Sequence, residues 1–435
     1  MAAREDQALA VSWPGELPFT ADLLRQVIAR HAPVIRFHPE EPYFPSTVDW
    51  YLARSLLIDG ASSAVVARHP AAADLPKGPT TPDQLQHYWL TLDPDIAGPA
   101  LEPDLAPPDD PRRGNLADAR AYVRALHDTK LGHTDLQFWM FYPYDGPGLT
   151  RLRPRFLGAL RTDRVLSLWP AGMHEADWEL AVIRIDHATL QPVAAFLSQH
   201  QNGDQHVGAD AVAALEREPD GRIRLHASLY GHASYAHPHE RKLVYFKRSL
   251  ALVGIELGLI DRAEPGPAWN LGQNHEVIST SWHDPQFPEA PWLDFAWRWG
   301  AYDPTGGRFR RKLVEALGDL LESHLSPPVL VLHVLTLGLT AVLLALAPRL
   351  LGGPLGAKLL GHTADNSGPF GPSCHDDKWS GNYGFTGPPA QPEWLGAGTT
   401  LAQRIGSALN TVCSPPVRLL GSFLRVLCTP LLPKD

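Results

Sequence analysis

One stretch of the chain combines residue types and spacing that suit metal chemistry: Gly172-Met173-His174-Glu175-Ala176-Asp177-Trp178-Glu179, running into the apolar Leu180 to Ile185. A run rich in valine and isoleucine reads as a strand, and alternate side chains of a strand share a face, so Asp177 and Glu179 point the same way. Two carboxylates one strand pitch apart repel unless positive charge lies between them. His174 stands three residues before Asp177, where a turn at the strand entrance could fold its imidazole back toward the acids. The pattern His-x-x-Asp-x-Glu thus offers one nitrogen and several oxygens to a divalent cation. The plainer reading is a solvated strand entrance whose acids pair with arginines such as Arg184. Residue types alone leave both open.

Several elements must position these groups. Leu136 to Tyr144 places aromatic residues on both faces of a strand, which suits a central position, and delivers Asp145 just before Gly146-Pro147-Gly148. Pro192 to His200 reads as another strand, with His200 at its end before the turn chemistry of Gln201-Asn202-Gly203-Asp204. His226 to Tyr235 alternates, putting His226, Ser228, Tyr230, His232 and Ser234 on one face. In a cleft that face supplies proton donors, acceptors and a general base, whereas on an open sheet it means only an amphipathic strand. Thr20 is the expected N-cap of a helix from Ala21 to about Arg30, followed by a strand from Val34 to Phe37. His38, beside Pro39 and near Glu40 and Glu41, either reaches a site or caps backbone groups. The proline- and aspartate-rich residues 69–115 form a long surface excursion, suited to a lid. Five arginines between Arg151 and Arg164 either hold an anionic group or lie on an exposed loop paired with acids.

Composition narrows the classes. With 44% hydrophobic and 20% charged residues the chain is globular, and 42 prolines and 36 glycines favour strands joined by loops. A net charge of −9, with no basic run, argues against nucleic acid. Three cysteines, Cys374, Cys413 and Cys428, all lie in the last quarter, which excludes a disulfide framework for the core. The charged start Met1-Ala2-Ala3-Arg4-Glu5-Asp6-Gln7 is not a signal peptide, and an intracellular location is expected. No phosphate-binding glycine loop, dinucleotide fingerprint or nucleophile elbow is present. Val329 to Ala347 runs nineteen residues without a charge, either a membrane span or a packed hydrophobic helix, and about Thr400 to Leu427 reads as a further helix.

The chain resembles the Vps62 family, also called DUF946, through four blocks in the family's order. These are His31-Ala32-Pro33-Val34-Ile35-Arg36-Phe37-His38-Pro39-Glu40-Glu41-Pro42-Tyr43-Phe44-Pro45-Ser46-Thr47-Val48-Asp49-Trp50-Tyr51, Asp177-Trp178-Glu179, Ser198-Gln199-His200 and Tyr230-Gly231-His232-Ala233-Ser234-Tyr235. The central block also resembles the heptapeptide Gly-His-Arg-His-Asp-Trp-Glu of the necrosis- and ethylene-inducing-like proteins. That resemblance implies a β-sandwich with a metal held at positions matching His174, Asp177, Glu179 and Asp145. Met173-His174-Glu175-Ala176 departs from the heptapeptide, so only the ligand spacing is kept.

The expectation is a mainly β chain: a helical lead-in over 1–30, a sandwich over 31–305, a hydrophobic helical segment over 306–360 and a tail over 361–435 that partly folds back on the core. Three acids and one imidazole make a hard ligand set, which favours Mg, Mn or Ca over Zn. Two functions follow. One is a metal-dependent enzyme, a hydrolase or a lyase or cyclase, acting on a lipid or apolar small molecule with His200 and His232 as acid or base. The other is metal-dependent binding of a lipid head group at a membrane.

Overall fold

The structure is a computed structural model. It describes residues 19–302, except 79–86, 102, 129, 157–159, 162, 168–171, 200–201 and 251–252, together with 367–374 and 376–383. Val329 to Ala347, Thr400 to Leu427 and His200 lie outside the described residues. Among the described residues no helix is long and apolar enough to cross a membrane.

The protein is mainly β, as expected. Its centre is a six-stranded sheet in the spatial order Asn202–Val207, Pro192–Gln199, His174–Asp186, His133–Asp145, Ala121–Asp128, His275–Thr280. The motif strand His174–Asp186 and the strand His133–Asp145 run antiparallel as the two central members, each 13 residues long. Their near-continuous apolar sequences follow from burial on both faces. One face packs Phe138, Met140, Ala181 and Ile183 against Ile35, Leu225 and Trp269 of a four-stranded sheet and against Leu24, Val27 and Ile28 of a helix. The other packs Trp139, Phe141, Trp178 and Leu180 against Trp292, Trp297 and Trp299 and against a three-stranded sheet carrying Leu57, Leu90 and Leu92. The three tryptophans complete this second core.

The helix runs Ala21–His31, with the Thr20 hydroxyl accepting from the Leu23 N–H at 3.3 Å. Its buried residues are part of the first core. Residues 367–383 return to the tryptophan-rich face: the Trp299 N–H donates to the Pro369 carbonyl at 2.8 Å, and Tyr383 packs on Phe196. The segment Arg151 to Arg164 differs from the expected loop. It forms the strands Leu149–Phe156, Leu160–Arg161 and Arg164–Ser167 of a five-stranded sheet. Two of its arginines pair with acids, Arg151 with Glu240 and Arg153 with Asp163.

Val34–Arg36 is parallel to Arg224–Ala227. Glu218 clamps this pair, accepting from Arg36 Nε and Nη2 at 2.8 and 2.7 Å and from Arg224 Nε at 2.9 Å. The Arg36 hydrogen bond, opposed by burial and helped by Arg224, holds the Glu218 carboxyl down at about 2. A depressed acid contributes stability that is present above its unfolded value near 4.5 and is lost as pH falls through about 2. Denaturant titration of Glu218→Gln is expected to show a loss of about 2 kcal/mol at neutral pH. The gap to the wild type should narrow between those two pH values.

Candidate metal centre

The site lies where the two central strands meet their entrance loops. His174 is directly opposite Asp145, and Asp177 opposite Tyr142. In a regular strand Glu175 and Asp177 would share a face. Instead Glu175 turns to the tryptophan-rich side, accepting from the Thr91 hydroxyl at 2.7 Å and the Leu92 N–H at 3.1 Å, while Asp177 turns to His232 on the other side. Ala176 between them causes the reversal, with φ at +58° and its side chain fully buried. A left-handed alanine costs about 1–2 kcal/mol. It is the turn that brings His174 round toward Asp145.

His174 Nδ1 lies 2.7 Å from the Ala176 carbonyl. A carbonyl only accepts, so Nδ1 carries a proton. His174 Nε2 is 3.3 Å from Asp145 Oδ2. His232 repeats the arrangement with its nitrogens exchanged: Nε2 donates to the Tyr43 carbonyl at 3.1 Å, and Nδ1 is 3.2 Å from Asp177 Oδ2. Ligand atoms of Asp145, Asp177 and His232 lie within 4.8 Å of one another, the geometry of a cluster that could hold a metal ion.

The loop that carries His232 is held from below. Glu41 accepts from the Tyr43 N–H at 2.9 Å and from the Tyr230 N–H at 2.6 Å, and its carboxylate is 3.7 Å from His232 Nε2. Tyr142 stacks on the His232 ring with centroids 3.8 Å apart and planes at 10°. Burial alone would push the fully buried His232 imidazole down, but its hydrogen bonds to Asp177 and Glu41 outweigh that and raise it to about 10. Those two carboxylates flank the buried ring at 3.2 and 3.7 Å. The Tyr142 hydroxyl is buried with no hydrogen-bond partner among the described residues, and burial, then Glu179 and Asp177, push it well up, so it remains an O–H donor. Gly146, just past Asp145, is needed where it stands: a Cβ there would lie 2.8 Å from both Tyr230 and Tyr43.

The structure brings Asp145, Asp177 and His232 together, and His174 faces Asp145 from outside that group. Glu179 is buried and lies outside the group of three, electrostatically close to Tyr142. Lys378 is a nearby cation: its ammonium donates to the Ser198 hydroxyl at 2.8 Å, and burial lowers its pKa against the pull of Glu179 and Asp177. His38 has the structural role, its Nδ1 accepting from the Glu40 N–H at 3.1 Å. The neighbouring Glu41 reaches the site instead. His226 to Tyr235 is not one strand but Arg224–Ala227 and Ser234–Tyr235 with a turn between them, in which Tyr230 and His232 adopt φ of +68° and +53°. The expected single face is broken there. The part of Glu41, Tyr43, Tyr142 and Lys378 was not foreseen, and only Glu41 and Tyr43, inside the first family block, carried any signal.

Residues 16–325 match the family vacuolar protein sorting-associated protein 62, so the chain belongs to the Vps62 family. A comparison with curated protein sequences found no match. Solved structures similar to it include "Toxin fold for microbial attack and plant defense", at 14% identity over 66% of this chain and 84% of that one, with a TM-score of 0.27. Others are NLPPya in complex with glucosamine (15%, 66% and 83%, 0.26) and Necrosis and Ethylene inducing Protein 2 from the causal agent of cocoa's Witches Broom disease (13%, 64% and 79%, 0.26).

Replacing Ala176 tests the reversal. Ala176→Gly relieves the left-handed strain and is expected to leave stability unchanged or raise it by about 1 kcal/mol, with full cation uptake. Ala176→Val, β-branched at positive φ, should lose about 2 kcal/mol or more and weaken uptake, both read by thermal melts with and without added cation.

Proposed function

We propose that this Vps62-family protein is a divalent-cation-dependent binding protein whose ion, held by Asp145, Asp177 and His232 with His174 beside them, recognises the phosphate of a lipid head group. The observation that carries this reading is the repeated arrangement of the two histidines. Each is pinned by a backbone carbonyl at one ring nitrogen and faces a carboxylate with the other. Such a contact needs positive charge, which a proton on the ring or a cation between the two groups supplies; histidines that ligate metals are oriented in this way by the hydrogen bond at the remote nitrogen. Such an ion would be a Lewis acid for phosphate oxygens, with the Tyr142 hydroxyl as a neighbouring donor.

The proline-rich excursion supports a membrane-facing site. Ala100 and Tyr230 pack against the buried group of Tyr43, Tyr144 and Met173 beside the cluster. Arg113 shapes the loop by donating to the carbonyls of Pro103, Ala106 and Pro107 at 3.0, 2.7 and 2.9 Å. Leu101 and Leu105 remain exposed, Leu105 by 68%. Apolar side chains beside a cation site suit the boundary between head groups and acyl chains.

Hydrolysis is the second reading. Glu179, on the strand face of Asp177, favours it as a carboxylate able to take a proton from an ion-bound water. His232 suits it less, since both ring nitrogens are engaged and the side chain is fully buried.

Co-sedimentation with vesicles containing anionic phospholipid separates the components. Binding should require a divalent cation and be reversed by chelator. Asp177→Asn should lose both ion and vesicles, while Leu105→Asp should keep the ion and lose most vesicle binding. Equal sedimentation with cation and with chelator would refute the proposal.

A further inference from the structure

The turn His187 to Leu190, which follows the motif strand, gathers imidazoles at the end of the central sheet away from the acid cluster. The His187 backbone N–H donates to the Gly132 carbonyl at 3.0 Å, tying the turn to the hairpin between Ala121–Asp128 and His133–Asp145. His187 Nε2 and His127 Nδ1 share the Thr134 hydroxyl, at 2.9 and 3.1 Å, and the two rings stack with centroids 4.7 Å apart and planes at 22°. The helix Ala21–His31 meets the same turn at both its ends. Phe19, just before the cap, sets its ring edge-on to His187 at 5.2 Å, and His31 Nε2 donates to the Leu190 carbonyl at 2.9 Å. We propose that this join is an acid-operated latch: neutral imidazoles hold the helix on the first core, and their protonation releases it. The latch acts at the opposite end of the motif strand from the ion site and does not depend on it.

The geometry fits neutral rings and conflicts with charged ones. A hydroxyl has one hydrogen, so Thr134 donates to one ring and accepts from the other. With both rings charged, both nitrogens become donors, the hydroxyl hydrogen loses its acceptor and two like charges face each other across the stack. His127 Nε2 is buried with no hydrogen-bond partner among the described residues, so the N–H of a charged ring has no acceptor there. Asp128 of the hairpin and Asp186 beside the turn attract the charge, while His133, Arg30 and Arg217 repel it. Asp186 is already engaged, its Oδ1 accepting from the Thr189 N–H and hydroxyl at 2.9 and 2.8 Å. Burial is the largest cause in all three rings: it pushes His31 and His187 down to about 4 and lowers His127 as well. A base depressed in the closed state contributes stability that is present above its ordinary value of 6.5 and is lost as pH falls toward 4. At pH 5 each of His31 and His187 then favours opening by about thirtyfold over neutral pH. Release uncovers Leu24, Val27 and Ile28, which are fully buried in the closed state.

The test is hydrogen exchange of the full chain, read by mass spectrometry at pH 7.5 and at pH 5 and corrected for the pH dependence of the chemical step. Protection of residues 21–31 is expected to fall by about a hundredfold or more, while that of the central strand over 178–185 falls by less than about tenfold. In the double variant His31→Gln, His187→Gln, whose amides still donate to the Leu190 carbonyl and share the Thr134 hydroxyl, the fall in the helix should shrink to less than about tenfold. His187→Gln alone, used where circular dichroism shows the pair unfolded, should remove about thirtyfold of the acid response. Unchanged protection of the helix at pH 5, an equal fall in helix and central strand, or an undiminished acid response in a folded variant would overturn the latch.

Discussion

Two imidazoles here each face a carboxylate with one ring nitrogen, a contact that needs positive charge, from a proton on the ring or from a cation between the two groups. The histidines cannot turn away, because the Ala176 and Tyr43 carbonyls fix one nitrogen of each. Nor can the acids, since Asp145 ends one central strand and Asp177 opens the next, with register pinned along the whole pair. The surrounding structure holds these contacts in place: a left-handed alanine lies next to His174 and Asp177, a buried Glu41 ties down the His232 turn, and a tyrosine ring closes over it. Strain and buried charge held in place together are the marks of a site kept for a ligand.

The rest of the architecture makes that local conflict affordable. Covering the central sheet on both faces gives it two large cores, so its strand ends are rigid enough to carry a strained residue. Close backbone crossings reinforce the entrance. A Cβ on Gly300 would lie 1.9 Å from the Glu175 carbonyl, so the segment after Trp299 runs directly over the residue preceding the reversal. Residues 367–383 then lie over the tryptophan-rich face and bring the Lys378 ammonium to Ser198, one strand away from the motif strand.

The strands of the central sheet were legible because burial on both faces writes itself as continuous apolar sequence. The pairing of Asp177 with Glu179 followed from strand alternation, and the helix after Thr20 from its cap. Asp145 could be placed because an aromatic strand ending before Gly146-Pro147-Gly148 has little choice about where its last residue falls. What could not be read depends on tertiary contacts. Alternation across His226 to Tyr235 suggested one strand, yet Tyr230 and His232 are held at positive φ by a loop anchored to Glu41, almost two hundred residues earlier in the chain. The preference of those residue types for extended backbone was overridden. For the same reason His232 looked like a free base when it is a clamped member of the cluster, and Glu179 looked like a member when it sits just outside.

Elemental analysis of the purified protein, beside the variant Asp145→Asn, Asp177→Asn checked for folding, tests the central claim most directly. The account predicts about one equivalent of a divalent ion in the wild type and none in the folded variant. A wild type that stays empty after saturation with divalent ions would contradict it. The histidines and acids would then be paired through shared protons, and the strained entrance of the motif strand would serve the fold alone.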